Sequence, residues 1–170
     1  MFIIFMGVSG CGKTTIGKLT ADRLSVPFFE GDEYHPQQNI EKMVHGIPLT
    51  DDDRELWLES LAQLIQRELD LGASGVLSCS ALKEKYRQRL RVDPDKVRFI
   101  YLKGSYDLIL SRLQNRSDHY MPTHLLASQF EALEEPSDVL TVNIDQTTEA
   151  IIAEVFAYLV EIGFGGNSEQ

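Results

Sequence analysis

Near the start of the chain, Gly7-Val8-Ser9-Gly10-Cys11-Gly12-Lys13-Thr14 satisfies G-x-x-x-x-G-K-[ST] at every fixed position. Glycines in such a loop admit backbone angles that aim successive N–H groups at one anion. An apolar run, Phe2–Met6, leads into it. A segment with apolar residues at Ile16, Leu19 and Leu24 leads out, so the loop opens a helix whose N-terminus adds positive potential. The chemistry this predicts is the cradling of nucleotide phosphates by Gly7, Val8, Ser9, Gly10, Cys11, Gly12, Lys13, Thr14 and Thr15. Lys13 reaches the β- and γ-phosphates and Thr14 ligates Mg²⁺. Cys11 occupies a free position of the pattern and reads as a small filler residue.

A second group follows the next short apolar segment. Glu30-Gly31-Asp32 comes directly after Pro27–Phe29, and ligands of open α/β sheets sit beyond the carboxyl ends of strands. Asp32 is therefore expected to face the γ-phosphate. There a carboxylate either accepts an acceptor hydroxyl's proton or holds a metal-bound water; the plain alternative is a turn cap. Further along, Arg112 and Arg116 border a polar stretch, Asn115–Pro122, that reads as a lid. They would neutralise charge on the transferring phosphoryl group; the plain alternative is salt-bridging surface arginines. The catalytic set is thus Lys13, Asp32 and Arg116, with Arg112 and Arg116 also on the nucleotide. No aspartate ends the third apolar segment, where Ser78-Cys79-Ser80 stands instead. Mg²⁺ is expected to rely on Thr14, the phosphates and waters, with Asp32 behind them.

Strands alternating with helices must carry these residues. Phe2–Met6, Pro27–Phe29, Gly75–Cys79, Val97–Leu102 and Val139–Ile144 read as strands, the first of them buried on both faces. Lys13–Leu24, Asp51 to about Leu71, Ala81–Arg91, Tyr106–Leu113, Thr123–Leu133 and Thr148–Ile162 read as helices, and the acidic start Asp51–Asp53 suits a helix N-terminus. The stretch His35–Pro48 is polar and punctuated by Gly and Pro. The pattern predicts an α/β fold: a five-stranded parallel sheet wrapped by helices on both faces. We expect one P-loop kinase domain over residues 1–164, with a helical acceptor-binding insertion at about 35–70 and a lid at about 115–122. Gly165–Gln170 reads as a disordered tail.

Composition removes several classes. The formal net charge of −10 leaves no basic footprint for DNA or RNA. It also means that any anion site must be a local cluster of cations and backbone N–H groups. The N-terminal apolar run lacks the flanks of a signal peptide, and no apolar run is long enough to span a bilayer. Two cysteines without metal or redox spacing fit a reducing compartment and a cytoplasmic protein. GTPases share the phosphate loop but need N-K-x-D and D-x-x-G, and neither occurs. A small kinase remains.

Beyond the loop, the residues follow a family pattern. It begins with His35-Pro36, Asn39, Lys42-Met43, Gly46, Pro48-Leu49, Asp51, Asp53-Arg54 and Trp57. It continues through Cys79–Lys83, Tyr86-Arg87, Leu90-Arg91, Phe99–Gly104, Arg112, Arg116 and His119–Met121, and ends with Leu125-Leu126, Ser128–Phe130, Leu133-Glu134 and Pro136. From about Phe2 to about Ile144 the chain resembles the gluconokinases of the small, thermoresistant type. Two positions depart from it: Leu56, where that family usually has Pro, and Ser117-Asp118, where it often has a basic residue or Gly. The resemblance implies a nucleoside-monophosphate-kinase-like fold, transfer from ATP with Mg²⁺ to gluconate giving 6-phosphogluconate, and often a homodimer. Gluconate offers a carboxylate, best gripped by an Arg fork, and a row of hydroxyls. Candidates for the carboxylate are Arg54, Lys83 and Arg87, with Arg91 behind them. Lys83, Arg87 and Arg91 have i, i+4, i+8 spacing on the expected basic helix, although such a stripe is usually a solvated face. His35 and Asn39 are candidates for the hydroxyls.

Overall fold

The computed structural model describes residues 1–115 and 123–164. Five strands form one parallel sheet: β1 (Phe2–Met6), β2 (Phe28–Glu30), β3 (Gly75–Ser78), β4 (Val97–Lys103) and β5 (Leu140–Asn143), in the order β2-β3-β1-β4-β5. The helices are α1 (Lys13–Leu24), α2 (Gln37–Val44), α3 (Asp51–Asp70), α4 (Glu84–Leu90), α5 (Tyr106–Gln114), α6 (Thr123–Ala132) and α7 (Thr148–Glu161). A short 3₁₀ turn, Gly31–Tyr34, follows β2.

The unbroken apolar strands are explained by burial on both faces. On β1, Ile3 and Phe5 enter one core with α1, α5 and α7, while Phe2, Ile4 and Met6 enter a second with α3 and α4. β4 splits the same way, with Ile100 and Leu102 on one side and Phe99 and Tyr101 on the other. β1 is central, paired in register with β3 and β4, so the loop after Met6 emerges mid-sheet at the strands' carboxyl edge. The turn after β2 emerges at the same edge, because Glu30 is in register with Ser78 of β3.

Two elements differ from the expectation. The stretch His35–Pro48, where no separate element is expected from the sequence, holds α2, which starts immediately after Pro36, where a missing N–H costs nothing. It was illegible because Ile40, Met43 and Val44 are partly or largely exposed and only Asn39 is buried. The basic helix expected over Ala81–Arg91 shrinks to Glu84–Leu90. Ala81 has a left-handed φ of 42° and Lys83 is extended, so the chain is still turning there. Lys83 therefore precedes the helix, and Lys83, Arg87 and Arg91 do not share one helical face. The lid and the C-terminal tail lie outside the described residues, Asn115 excepted.

Candidate active site

Gly7 leaves β1 with φ 138°, and a Cβ there would meet the carbonyl oxygen of Leu102 at 2.8 Å. Glycine is thus required for the loop to turn across the end of β4. Lys13 folds back over this loop, its Nζ donating to the carbonyls of Gly7 and Val8 at 3.0 Å each. Cys11 is buried beneath the loop, consistent with a packing role. Ser9 is held from afar: its backbone N–H donates to Oε1 of Gln129 at 2.7 Å, and Gln129 Nε2 donates to its hydroxyl at 3.0 Å.

Thr14 Oγ1 donates to Glu30 Oε2 at 2.6 Å, and the Ser78 hydroxyl donates to the other oxygen of the same carboxylate. Glu30 therefore stands where an aspartate ending β3 was missing: the carboxylate comes from the neighbouring strand and leans across Ser78. Sequence reasoning passed over Glu30 in favour of Asp32. The available signal was its place as the last residue of β2, on the ligand-binding edge of the sheet.

A cleft of about 700 Å³ runs from this phosphate loop to the region around α2 and α3. Ser9, Lys13, Thr14 and Thr15 line one end, and Asp32, His35, Arg54 and Trp57 line the other. The folding of α3 sets that second end. Thr50 and Asp53 form a capping box, which fixes the first turn and with it Arg54. Arg54 Nη1 donates to the carbonyls of Leu49 at 2.6 Å and Thr50 at 3.3 Å, and the guanidinium lies 5.7 Å from the centre of the Tyr86 ring. Arg54 also lines the cleft. One turn on, the buried Trp57 donates from Nε1 to Gly31 O at 2.8 Å, which pins the turn bearing Asp32. Gly31 is required there, since a Cβ would collide with Ser78 O. The His35 ring stacks on Trp57 with centroids 4.2 Å apart. Burial, with the charge of Arg54, lowers the His35 pKa to about 4.

The remaining candidates are placed elsewhere. Asn39 is fully buried behind His35 rather than in the cleft. Lys83 pairs with Asp51 at 2.9 Å; Asp51 also accepts from Lys85 and from the Tyr86 hydroxyl. Bonds from Lys85, Tyr86 and Lys83, in that order, hold the Asp51 carboxyl far below the usual range, and burial raises Tyr86 to about 12. Arg87 is 1% exposed and donates to the carbonyls of Ala81 at 3.0 Å and Leu82 at 3.1 Å, with Glu84 as its ion partner. Arg87 is therefore spent on its own loop and does not reach the cleft. Arg91 pairs with Asp138 at 3.1 Å. Arg112 Nη2 donates to Ile144 O at 2.7 Å, beside the turn after β5. Arg116 lies outside the described residues.

Comparison with known proteins identifies the family. The family model described as shikimate kinase matches residues 9–161. The chain is 44% identical to the thermoresistant gluconokinase of Escherichia coli K12 over 154 residues, covering 88% of each. It is 47% identical to the thermosensitive gluconokinase of the same organism over 146 residues, 84% of this chain and 78% of that one. A solved gluconokinase from Sinorhizobium meliloti superposes with a TM-score of 0.87 at 40% identity, covering 97% and 93% of the two chains. Shikimate kinase from Aquifex aeolicus, with a TM-score of 0.58 at 16% identity, shares the fold. The phosphate loop, the sheet order and these relatives together make the chain a member of the shikimate kinase family and, within it, of the gluconokinases.

Proposed function

We propose that this protein transfers the γ-phosphoryl group of ATP to a hydroxyl of gluconate, giving 6-phosphogluconate and ADP. The carrying observation is the single cleft that joins a complete phosphate loop to a pocket holding Asp32, His35 and Arg54. The loop fits a nucleotide: its glycines have positive φ, and Lys13 rests on carbonyls that it can leave for phosphate oxygens. Arg54 suits the gluconate carboxylate, since two backbone carbonyls hold one arm of its fork and the residue lines the cleft. Asp32 takes the proton of the attacking hydroxyl as the new O–P bond forms and the bond to the β-phosphate oxygen breaks. Lys13, and Arg116 from the lid, balance charge on the transferring group.

Mg²⁺ is the implied metal, and the donor set fits it. Thr14 Oγ1 and the Glu30 carboxylate are hard oxygen ligands 2.6 Å apart, with no cluster of three ligating side chains among the described residues. A site of one or two protein oxygens completed by phosphates and water is typical for Mg²⁺. Thr14 and Glu30 would hold the metal, which would supply charge neutralisation on the phosphates.

The working unit we infer is one kinase domain over residues 1–164, with its acceptor insertion at about 35–70 and its lid at about 115–122. The setting is cytoplasmic, where ATP is supplied and the free thiols of Cys11 and Cys79 stay reduced. The test is ADP release by the purified protein across gluconate, shikimate, other sugar acids and nucleoside monophosphates. Gluconate is expected to be preferred by at least an order of magnitude in kcat/KM. ADP release no faster with gluconate than with water, alongside turnover of another acceptor, would remove gluconate.

A further inference from the structure

His35 lies on the acceptor side of the cleft and its ring is held on two sides. Trp57 stacks beneath it with an interplanar angle of 13°, and Trp57 is itself anchored to Gly31 O. Behind the ring, Asn39 Nδ2 lies 3.2 Å from His35 Nδ1 and 2.6 Å from the carbonyl oxygen of Asp53. That carbonyl sits in the first turn of α3, where the Thr50–Asp53 capping box and the Lys42–Asp53 ion pair keep it still.

These contacts determine where the ring's proton sits. A side-chain amide has two N–H donors on nitrogen and only acceptors on oxygen. Asp53 O is an acceptor, so nitrogen must face it; exchanging the amide's atoms would set oxygen against oxygen. The second N–H of the same nitrogen is then aimed at His35 Nδ1, which must be unprotonated to receive it. The one ring proton of the neutral imidazole is thereby left on Nε2. Asn39 Oδ1 is left buried with no partner, and it is the sole such side-chain atom among the described residues. A buried orphan of this kind calls for a reason. Here the reason is that both donors are committed in fixed directions. His35 Nε2 has no protein partner among the described residues, and His35 lines the cleft beside Asp32.

We propose that Asn39 is a positioning residue that locks His35 as a neutral Nε2–H donor, and that this donor reads a hydroxyl oxygen of the polyhydroxy acid bound in the cleft. The inference rests on the acceptor reading above and divides the work of recognition within it. Arg54 takes the acid's charge, and His35 takes an uncharged oxygen. Burial and the positive charge of Arg54 keep the ring neutral, and Asp32, on the turn leading to His35, carries the nearby negative charge. A neutral ring also adds no positive charge beside the Asp32 carboxylate, the proton acceptor of the reading above. Asn39 acts on the substrate only through His35, which is why it sits outside the cleft wall.

Nitrogen-15 NMR on the full-length protein labelled at histidine tests the proton's position without any substrate. His35 is assigned by loss of its signal in H35Q, against four histidines in the chain. The expected spectrum has a protonated Nε2 and a bare Nδ1, unchanged between about pH 6 and 8. An Nδ1–H tautomer, or an imidazolium at neutral pH, overturns the proposal. Kinetics test its use. In H35Q the amide nitrogen replaces Nε2, whereas in H35N it replaces Nδ1. The expected result is a gluconate KM raised about tenfold in H35N, the worth of one neutral hydrogen bond, and largely restored in H35Q, with KM for ATP unmoved in both. Equal KM values for gluconate in H35N and wild type, or KM for ATP rising in step, overturn it in favour of a packing role. If the wild type turns over a different polyhydroxy acid and not gluconate, the acceptor reading falls. The same two variants assayed on that acid still decide the role of His35.

Discussion

Replacing Arg87 by Met separates a stabilising arginine from a substrate-binding one. Arg87 is 1% exposed, and its Nη1 donates to Ala81 O and Leu82 O. The two carbonyls do not suffer equally when it is lost. Leu82 O keeps a second donor, the Glu134 N–H at 2.9 Å, whereas Ala81 O has no other partner among the described residues. One buried carbonyl is thus orphaned, at a cost of about 1–3 kcal/mol. Two bonds from a charged donor go as well, and Ala81 loses the contact that holds its left-handed φ of 42°. The carboxylate of Glu84, its side chain 41% exposed, returns to water and limits the ion-pair loss. Met recovers part of the buried apolar area. The net expectation is a destabilisation of about 2–4 kcal/mol, a fall in Tm of roughly 5–15 °C for a chain of this size. Thermal and urea unfolding, followed by circular dichroism, would measure it. Gluconate KM, assayed well below the new Tm, should stay within about twofold of wild type. Arg54→Met is the mirror image: Tm should barely move, while gluconate KM should rise about thirtyfold, the equivalent of roughly 2 kcal/mol for a charged bond. An Arg87→Met protein of normal Tm with a tenfold higher gluconate KM would refute this assignment of the two arginines.

Other expectations follow from single contacts. Glu30→Gln keeps an oxygen for Thr14 but loses the charge, so the Mg²⁺ concentration for half-maximal rate should rise several-fold while Tm changes little; an unmoved Mg²⁺ curve would take Glu30 out of the metal site. Ser25 is exposed and caps α1 at φ 54°, so Ser25→Gly should raise stability by about 0.5–1 kcal/mol after the unfolded-state entropy is counted, and a lower Tm would contradict it. His35 has a folded pKa of about 4, below its unfolded value of 6.5. The unfolded chain therefore binds the proton first, and the stabilisation present above pH 6.5 is lost as pH falls toward 4, by at most about 3 kcal/mol. H35Q should lose less stability than wild type between pH 7 and pH 4.5, as read from urea midpoints. Trp57 is the sole tryptophan and stacks on His35, so gluconate should change its fluorescence, and a silent titration with an active enzyme would mean that the acceptor sits elsewhere.

What could be read along the chain was local. The phosphate loop is eight consecutive residues whose glycines and lysine act on their own backbone. The central strands declared themselves because burial on both faces leaves unbroken apolar runs, and α3 because its acidic first turn and apolar face are periodic. That the sheet is parallel then follows from strands alternating with helices, whereas the strand order β2-β3-β1-β4-β5 is read only from the structure. Tertiary structure decided the rest. Glu30 acquires its place opposite Thr14 only when β2 and β3 pair and Ser78, 48 residues on, supplies the second bond. Gln129 reaches Ser9 across 120 residues, which no periodicity encodes. The Lys83–Arg87–Arg91 stripe looked like one cationic face because helical spacing was assumed to begin at Ala81. A left-handed residue there delays the helix, turns Arg87 inward and ties Lys83 to Asp51. Side-chain direction depends on where an element starts and on what packs against it. Both are set by contacts distant in sequence, so residue type named the cations, but only packing determined which of them lines the cleft.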